Sequence, residues 1–198
     1  MHLISHRRNT LQELRDTPRH YGVEIDLRSQ GKDLILHHDA FMDGENFEAW
    51  IASYAHGTLI LNVKEEGLER RLLEIMDARG IKDFFFLDQS FPFLVRTTRT
   101  GERRCAVRVS EFEQLETALT LTGKADWIWV DCFTRFPLTQ GDASTLKKAG
   151  FKLCLVSPEL QGRSAETEIP AMRRLLAELG IEADAACTKR PDLWEQPL

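Results

Sequence analysis

The chain lacks several features that would assign it to a specialised class. It has only four cysteines in 198 residues, Cys105, Cys132, Cys154 and Cys187, and no two of them form a C-x-x-C pair. A zinc cluster built on paired cysteines is therefore excluded. Each cysteine lies in or beside an apolar run, as a small buried thiol in a reducing compartment would. No apolar run approaches the ~20 residues that a membrane-spanning helix needs. Positive charge is not in excess: 26 Lys and Arg stand against 31 Asp and Glu, a formal charge of −5. Nucleic-acid binding calls for a basic footprint, so no nucleic-acid partner is expected. The first residues, Met1-His2-Leu3-Ile4-Ser5-His6-Arg7-Arg8, contain no apolar signal core, and the expectation is a cytoplasmic protein. No Gly-x-Gly-x-x-Gly follows the first apolar run, which removes the phosphate cradle of a dinucleotide site. Internal repeats, low-complexity tracts and linkers are also missing, so residues 1–198 read as a single domain.

Short β-rich runs alternate with stretches of helical period. The runs fall at residues 3–6, 21–28 with an extension at 34–38, 58–64, 84–88, 105–109, 127–132, 152–157 and 185–188. Helical patterns fall at 10–16, 47–55, 68–79, 111–121, 144–149 and 169–179, with Gly80, Gly150 and Gly180 as stops. Ser110 and Glu113 have the spacing of a capping box. The tail, residues 191–198, either closes over the domain or frays. Eight β elements in strict alternation with helices predict an α/β fold, a compact (β/α)8 TIM barrel with trimmed loops. An open doubly wound sheet is the structural alternative.

Barrel active sites gather at the C-terminal ends of the strands. Those ends are unusually polar here. They read His6-Arg7, Glu24-Ile25-Asp26-Leu27-Arg28, His37-His38-Asp39, Asn62-Val63-Lys64, Asp88, Arg108 and Asp131. Side chains alternate along a strand, so Glu24 and Asp26 share one face, as do Asn62 and Lys64, and Trp129 and Asp131. Two carboxylates on one strand face can grip one divalent cation, and oxygen-only ligands suit Mg2+, Ca2+ or Mn2+. His6 and His38 supply a general acid and a general base. Arg7, Lys64 and Arg108 can neutralise a phosphate, and Trp129 can stack on a sugar or glycerol unit. Together these parts describe metal-assisted phosphoryl transfer. Taken singly, each has a plainer reading. Glu-x-Asp also marks a solvated strand face, Asp88 a turn cap, Asp131 a partner for Arg135, and Lys64-Glu65-Glu66 a solvated charge run.

In order and type these residues resemble the glycerophosphodiester phosphodiesterase family, within the wider phosphatidylinositol-phospholipase-C-like barrels. The match consists of His6-Arg7, Glu24-Ile25-Asp26, the run Gly31-Lys32-Asp33-Leu34-Ile35-Leu36-His37-His38-Asp39, Asn62-Val63-Lys64 where the family has Glu-x-Lys, and Thr188-Lys189-Arg190-Pro191-Asp192. The resemblance implies that His6 and His38 are catalytic. It implies that Glu24 and Asp26 bind a metal with the residue at Asn62, and that Arg7 and Lys64 hold phosphate. Three departures stand out. Asn62 replaces the family's third metal carboxylate, with Asp88 or Glu66 as candidate substitutes. Arg8-Asn9-Thr10 replaces the Pro-Glu-Asn-Thr stretch. The family's insertion between the second and third strands is missing: only residues 40–57 separate them, with little room for a cap.

The expected function is hydrolysis of a small, glycerophosphodiester-like phosphodiester. The alternative is an altered barrel that binds a phosphate or sugar phosphate without turnover. A third reading, an interaction barrel, requires an exposed apolar patch at Phe91, Phe93 or Trp194.

Overall fold

A computed structural model describes residues 1–197. The chain is α/β and divides into two compact units, one of residues 5–105 and one of residues 1–4 with 106–197.

In the first unit the central strand is β2 (Gly22–Gln30), with β1 (His2–Ser5) and α1 (Leu11–Asp16) before it in the chain. A turn at Gly31, φ 63°, folds β3 (Asp33–Leu36) back antiparallel onto β2. Beyond it lies the two-residue β4 (Glu45–Asn46), then α2 (Phe47–Ile51). On its other side β2 pairs in parallel with β5 (Leu59–Val63), and β5 with β6 (Phe84–Leu87). α3 (Glu69–Arg79) joins β5 to β6, and α4 (Phe91–Arg99) follows β6. The sheet order is β4-β3-β2-β5-β6. Every residue of β5 and β6 is buried, as their near-continuous apolar sequences Leu-Ile-Leu-Asn-Val and Phe-Phe-Phe-Leu require. Against that background the buried polar residues of the sheet, Glu24, Asp26 and Asn62, are conspicuous.

The second unit adds β7 (Ala106–Val109), α5 (Leu115–Leu119), β8 (Trp127–Val130), α6 (Gln140–Lys148), β9 (Lys152–Val156), α7 (Ala165–Leu179), β10 (Ala185–Thr188) and α8 (Pro191–Glu195). Its strand order is β1-β10-β9-β8-β7, with β7, β8, β9 and β10 parallel in succession.

Some elements differ from the sequence reading for identifiable reasons. α4 was not expected, because Pro92 and the β-branched Val95, Thr97 and Thr98 weaken its helical signal. Pro92 sits in the first turn, where its missing N–H removes no helical bond. α7 starts a turn earlier than the expected residue 169, so Pro170 lies inside it. Ser110 Oγ does meet Glu113 Oε2 at 2.7 Å, but in a turn ahead of α5, whose N-cap is Gln114. Within the tail, residues 191–195 form α8 with Leu193 and Trp194 buried, and Trp194 Nε1 donates to Ser157 Oγ at 2.8 Å. Trp194 therefore contributes to no exposed patch. Residue 198 lies outside the described residues.

Gly44 is required by a close approach. A Cβ there would stand 2.9 Å from the Leu36 carbonyl carbon and 3.3 Å from His37 Cβ. A Gly44→Ala variant should lose about 1–3 kcal/mol of stability, read as a lower denaturation midpoint, because backbone at the end of β3 must move.

Candidate active site

The polar residues of the first unit assemble around β2. Register places Asp26 beside Asn62 on β5, and Asn62 beside Leu87 on β6, so the residues that leave these strands are neighbours. Glu24 is 1% exposed and Asp26 0%. A carboxylate this deep needs hydrogen-bond donors, and both carboxylates have them.

Glu24 Oε1 accepts from Asn62 Nδ2 at 2.9 Å. Its Oε2 accepts from the Arg7 backbone N–H at 2.7 Å and lies 3.8 Å from His6 Nε2. Burial, with the Asp26 charge alongside, pushes the Glu24 carboxyl up to about 7. The folded chain therefore holds a proton that the unfolded chain has released. Glu24 ionisation erodes stability as pH rises from the ordinary carboxylate range through about 7. Glu24→Gln should melt with the wild type near pH 4. At pH 8 it should be more stable by about 2–3 kcal/mol, or roughly 4–10 °C, as read by thermal melts at the two pH values. Asn62 can turn its amide over to accept from the new Gln.

Asp26 is the hub. Its Oδ2 accepts from Asn9 Nδ2 at 2.9 Å and lies 3.3 Å from Arg7 Nε; its Oδ1 lies 3.3 Å from Lys64 Nζ. Lys64 Nζ also reaches Asp88 Oδ2 at 3.2 Å. Asn9 closes the arrangement by accepting the Asp26 backbone N–H at 2.9 Å. Sequence reasoning missed Asn9, since a loop side chain that contacts a strand 17 residues away leaves no periodic trace. Among the described residues, those with positive φ other than glycine are Arg7 at 53°, Phe41 at 62° and Asp88 at 60°. Arg7 and Asp88 both belong to this cluster. Backbone strain of this kind persists where surrounding structure over-determines it, and it concentrates at functional sites.

His38 lies beyond β3. Arg28 holds the segment by donating from Nε and Nη2 to the His38 carbonyl at 3.2 and 2.9 Å. His38 Nδ1 contacts Asp39 Oδ1 at 2.7 Å, which leaves Nε2 as the nitrogen available for chemistry. That contact holds the Asp39 carboxyl below its ordinary value. The His37 ring is engaged instead by the Asp39 backbone. Arg7, His37 and His38 line an open cleft of about 530 Å³. Lys64 and Asp88 line another of about 300 Å³, with Glu66, Ser90 and Phe93.

The remaining expected residues lie in the second unit. Asp131, 2% exposed, accepts from Arg108 Nη1 at 3.1 Å and Gln161 Nε2 at 2.6 Å. Its partner is thus Arg108 rather than Arg135. Trp129 is 5% exposed, in register with Arg108 and Cys154, so it presents no open face for stacking. Thr188 Oγ1 donates to Glu159 at 2.6 Å, and Arg190 pairs with Glu166 and Asp192, so the end of the resemblance motif anchors the tail. All four cysteines are buried, and burial pushes the Cys132 and Cys154 thiols well above their ordinary value, as inert thiols.

The geometry can be set beside known proteins. No family model matches the chain, and no curated protein matches it. Solved structures do. A glycerophosphodiester phosphodiesterase from Agrobacterium tumefaciens superposes with a TM-score of 0.68 at 15% identity, over 98% of each chain. A glycerophosphoryl diester phosphodiesterase from Parabacteroides distasonis superposes at 0.66 and 14% identity, over 97% of this chain and 84% of that one. The chain has the glycerophosphodiester phosphodiesterase fold. Within that fold the residues here form a charged cluster, with the Asp26 carboxylate facing Arg7 and Lys64 and Asp88 on the far side of Lys64.

The divalent cation, Mg2+, Ca2+ or Mn2+, expected at Glu24, Asp26 and Asn62 would meet two carboxylates and one amide, with Arg7 and Lys64 already beside Asp26. Among the described residues no group of three His, Cys, Asp or Glu side chains is placed to hold a metal. Asp88, a candidate for the missing carboxylate, is joined to Lys64, and Glu66 accepts from Ser90 Oγ at 2.5 Å. No helix among the described residues is long and apolar enough to cross a membrane.

Proposed function

We propose that the chain is a divergent member of the glycerophosphodiester phosphodiesterase family that hydrolyses a small phosphodiester. The βα order along the chain and the likeness to solved structures also support the single-domain (β/α)8 barrel reading. The observation that carries the function is the convergence of Arg7 and Lys64 on buried Asp26 from the walls of two open clefts. Asp26 positions both cations without exhausting them. Arg7 keeps its terminal guanidinium nitrogens, and Lys64 keeps a proton, for the non-bridging oxygens of a phosphate.

Histidine chemistry completes the reading. One histidine takes the proton of an attacking water or substrate hydroxyl as the new P–O bond forms. The other gives a proton to the alkoxide as the old P–O bond breaks. Asp39 orients the His38 ring so that Nε2 faces the work. Glu24, 3.8 Å from His6 Nε2, steadies that ring when it is cationic. The open clefts and the short 40–57 connection favour substrates with small arms.

The test is 31P NMR of glycerophosphoethanolamine and glycerophosphoglycerol incubated with the protein. The reading predicts conversion to a phosphomonoester, or to a cyclic phosphate when a neighbouring hydroxyl attacks first. Line broadening without conversion would favour the alternative, a phosphate-binding barrel, which Asn62 at the carboxylate position also motivates. Neither effect would sink both.

A further inference from the structure

We infer that this phosphate site works without a divalent cation, and that Asn62 is the residue that makes it so. This rests on the phosphodiesterase reading for its catalytic consequence, while its binding consequence stands alone.

The first argument is charge. Two buried carboxylates, Glu24 and Asp26, share the cluster with two cationic side chains, Arg7 and Lys64, and Asp88 also holds Lys64. A glutamate at position 62 would add a further negative charge beside these groups, and a hard cation would satisfy it. An asparagine adds none.

The second argument is direction. A divalent cation needs several lone pairs aimed at one point. Here donors occupy several of those lone pairs, although Asp26 Oδ1 accepts no hydrogen bond. Asn62 Nδ2 points at Glu24 Oε1 from 2.9 Å, so the residue that should offer an oxygen to the ion offers an N–H to its neighbour. Glu24 Oε2 is taken by the Arg7 backbone N–H, which cannot leave without unwinding the left-handed turn at Arg7. Asp26 Oδ2 is shared by Asn9 and Arg7. Asp26 Oδ1 faces Lys64 Nζ, which Asp88 also holds from its other side. An entering ion would have to displace an ammonium gripped by two carboxylates, and then turn the Asn62 amide.

Asn62 Oδ1 is buried and has no donor in the protein. Asp26 Oδ1 also accepts no hydrogen bond but faces the Lys64 ammonium at 3.3 Å, while the Asn62 oxygen is one neutral ligand. It is well suited to accept the O–H of an attacking water or substrate hydroxyl. In this site Lys64 and Arg7 take the electrostatic role a cation would otherwise have, and the charge is supplied by the fold.

The experiment is titration with Mn2+, followed by electron paramagnetic resonance of the free ion, on wild type and Asn62→Glu, with turnover measured in parallel with and without EDTA. The wild type should bind Mn2+ no more tightly than about 1 mM, and Asn62→Glu at least about tenfold more tightly, since cation affinity tracks ligand charge. Wild-type turnover should change less than about twofold in EDTA, while any turnover by Asn62→Glu should become EDTA-sensitive. Micromolar Mn2+ binding by the wild type, or turnover abolished by EDTA, would overturn the inference. If Asn62→Glu does not fold, the wild-type titration still decides. If the wild type hydrolyses nothing, the titration tests the cation claim while the phosphodiesterase reading fails separately.

Discussion

A His38→Ala variant should turn over phosphodiesters about 10²- to 10⁴-fold more slowly than the wild type, the range set by losing one general acid or base. Its thermal stability should hardly change. The His38 side chain is 40% exposed, and its partner Asp39 is 72% exposed. Removing a surface group of this kind is worth within about 0.5 kcal/mol. The pairing of large kinetic loss with unchanged melting separates a catalytic role from a structural one. His37→Ala is the control, because the Asp39 backbone already engages that ring. Its rate should fall less than about tenfold. Steady-state rates and melting curves on the three proteins check the prediction. Equal losses in His37→Ala and His38→Ala would assign the wrong histidine.

Asp26→Asn is expected to destabilise the protein by about 2–4 kcal/mol at pH 7. The buried carboxylate answers two cations, and removing one member of a buried ion pair leaves the other uncompensated. The estimate sits below the full buried-pair range because the Arg7 side chain is 41% exposed and Lys64 retains Asp88. The contrast with Glu24→Gln is the informative part. Both substitutions neutralise a buried carboxylate on the same strand, yet the first should lower and the second should raise the melting temperature above pH 7. Asp26 is surrounded by positive charge. Glu24 is met by neutral donors, a neighbouring anion and His6 at 3.8 Å, and its burial outweighs the Lys64 charge. Melting both variants at pH 8 gives the sign directly, and shifts of the same sign would show that the charge balance has been misjudged. Activity should also fall in Asp26→Asn, since Arg7 and Lys64 lose the group that aims them.

Much of this cluster was legible in the sequence, because strand alternation is a strong constraint. Glu24-Ile25-Asp26 in an apolar run already implies two carboxylates on one side of a strand, and Asn62-Val63-Lys64 repeats the pattern. Parallel register then makes the two pairs adjacent. What alternation cannot show is which donor meets which oxygen. The donation from Asn62 to Glu24, the Asn9 bridge and the double grip on Lys64 depend on side-chain reach across loops. The left-handed backbone at Arg7 and Asp88 was hidden for a related reason, since neither residue carries the glycine that usually marks such a position. β4, two residues long, is below the length at which period-two patterning is visible. Arg108 and Asp131 were correctly read as strand-end polar residues, but their pairing was not foreseen, because Arg135 was nearer in sequence.

The most direct test of the central claim is release of p-nitrophenolate from bis(p-nitrophenyl) phosphate by the wild type and by His38→Ala at equal concentration. The account predicts multiple turnovers by the wild type and a rate at least about 100-fold lower in the variant. Wild-type and variant rates that coincide, or a wild type indistinguishable from buffer on this diester and on glycerophospho-alcohols, would contradict it.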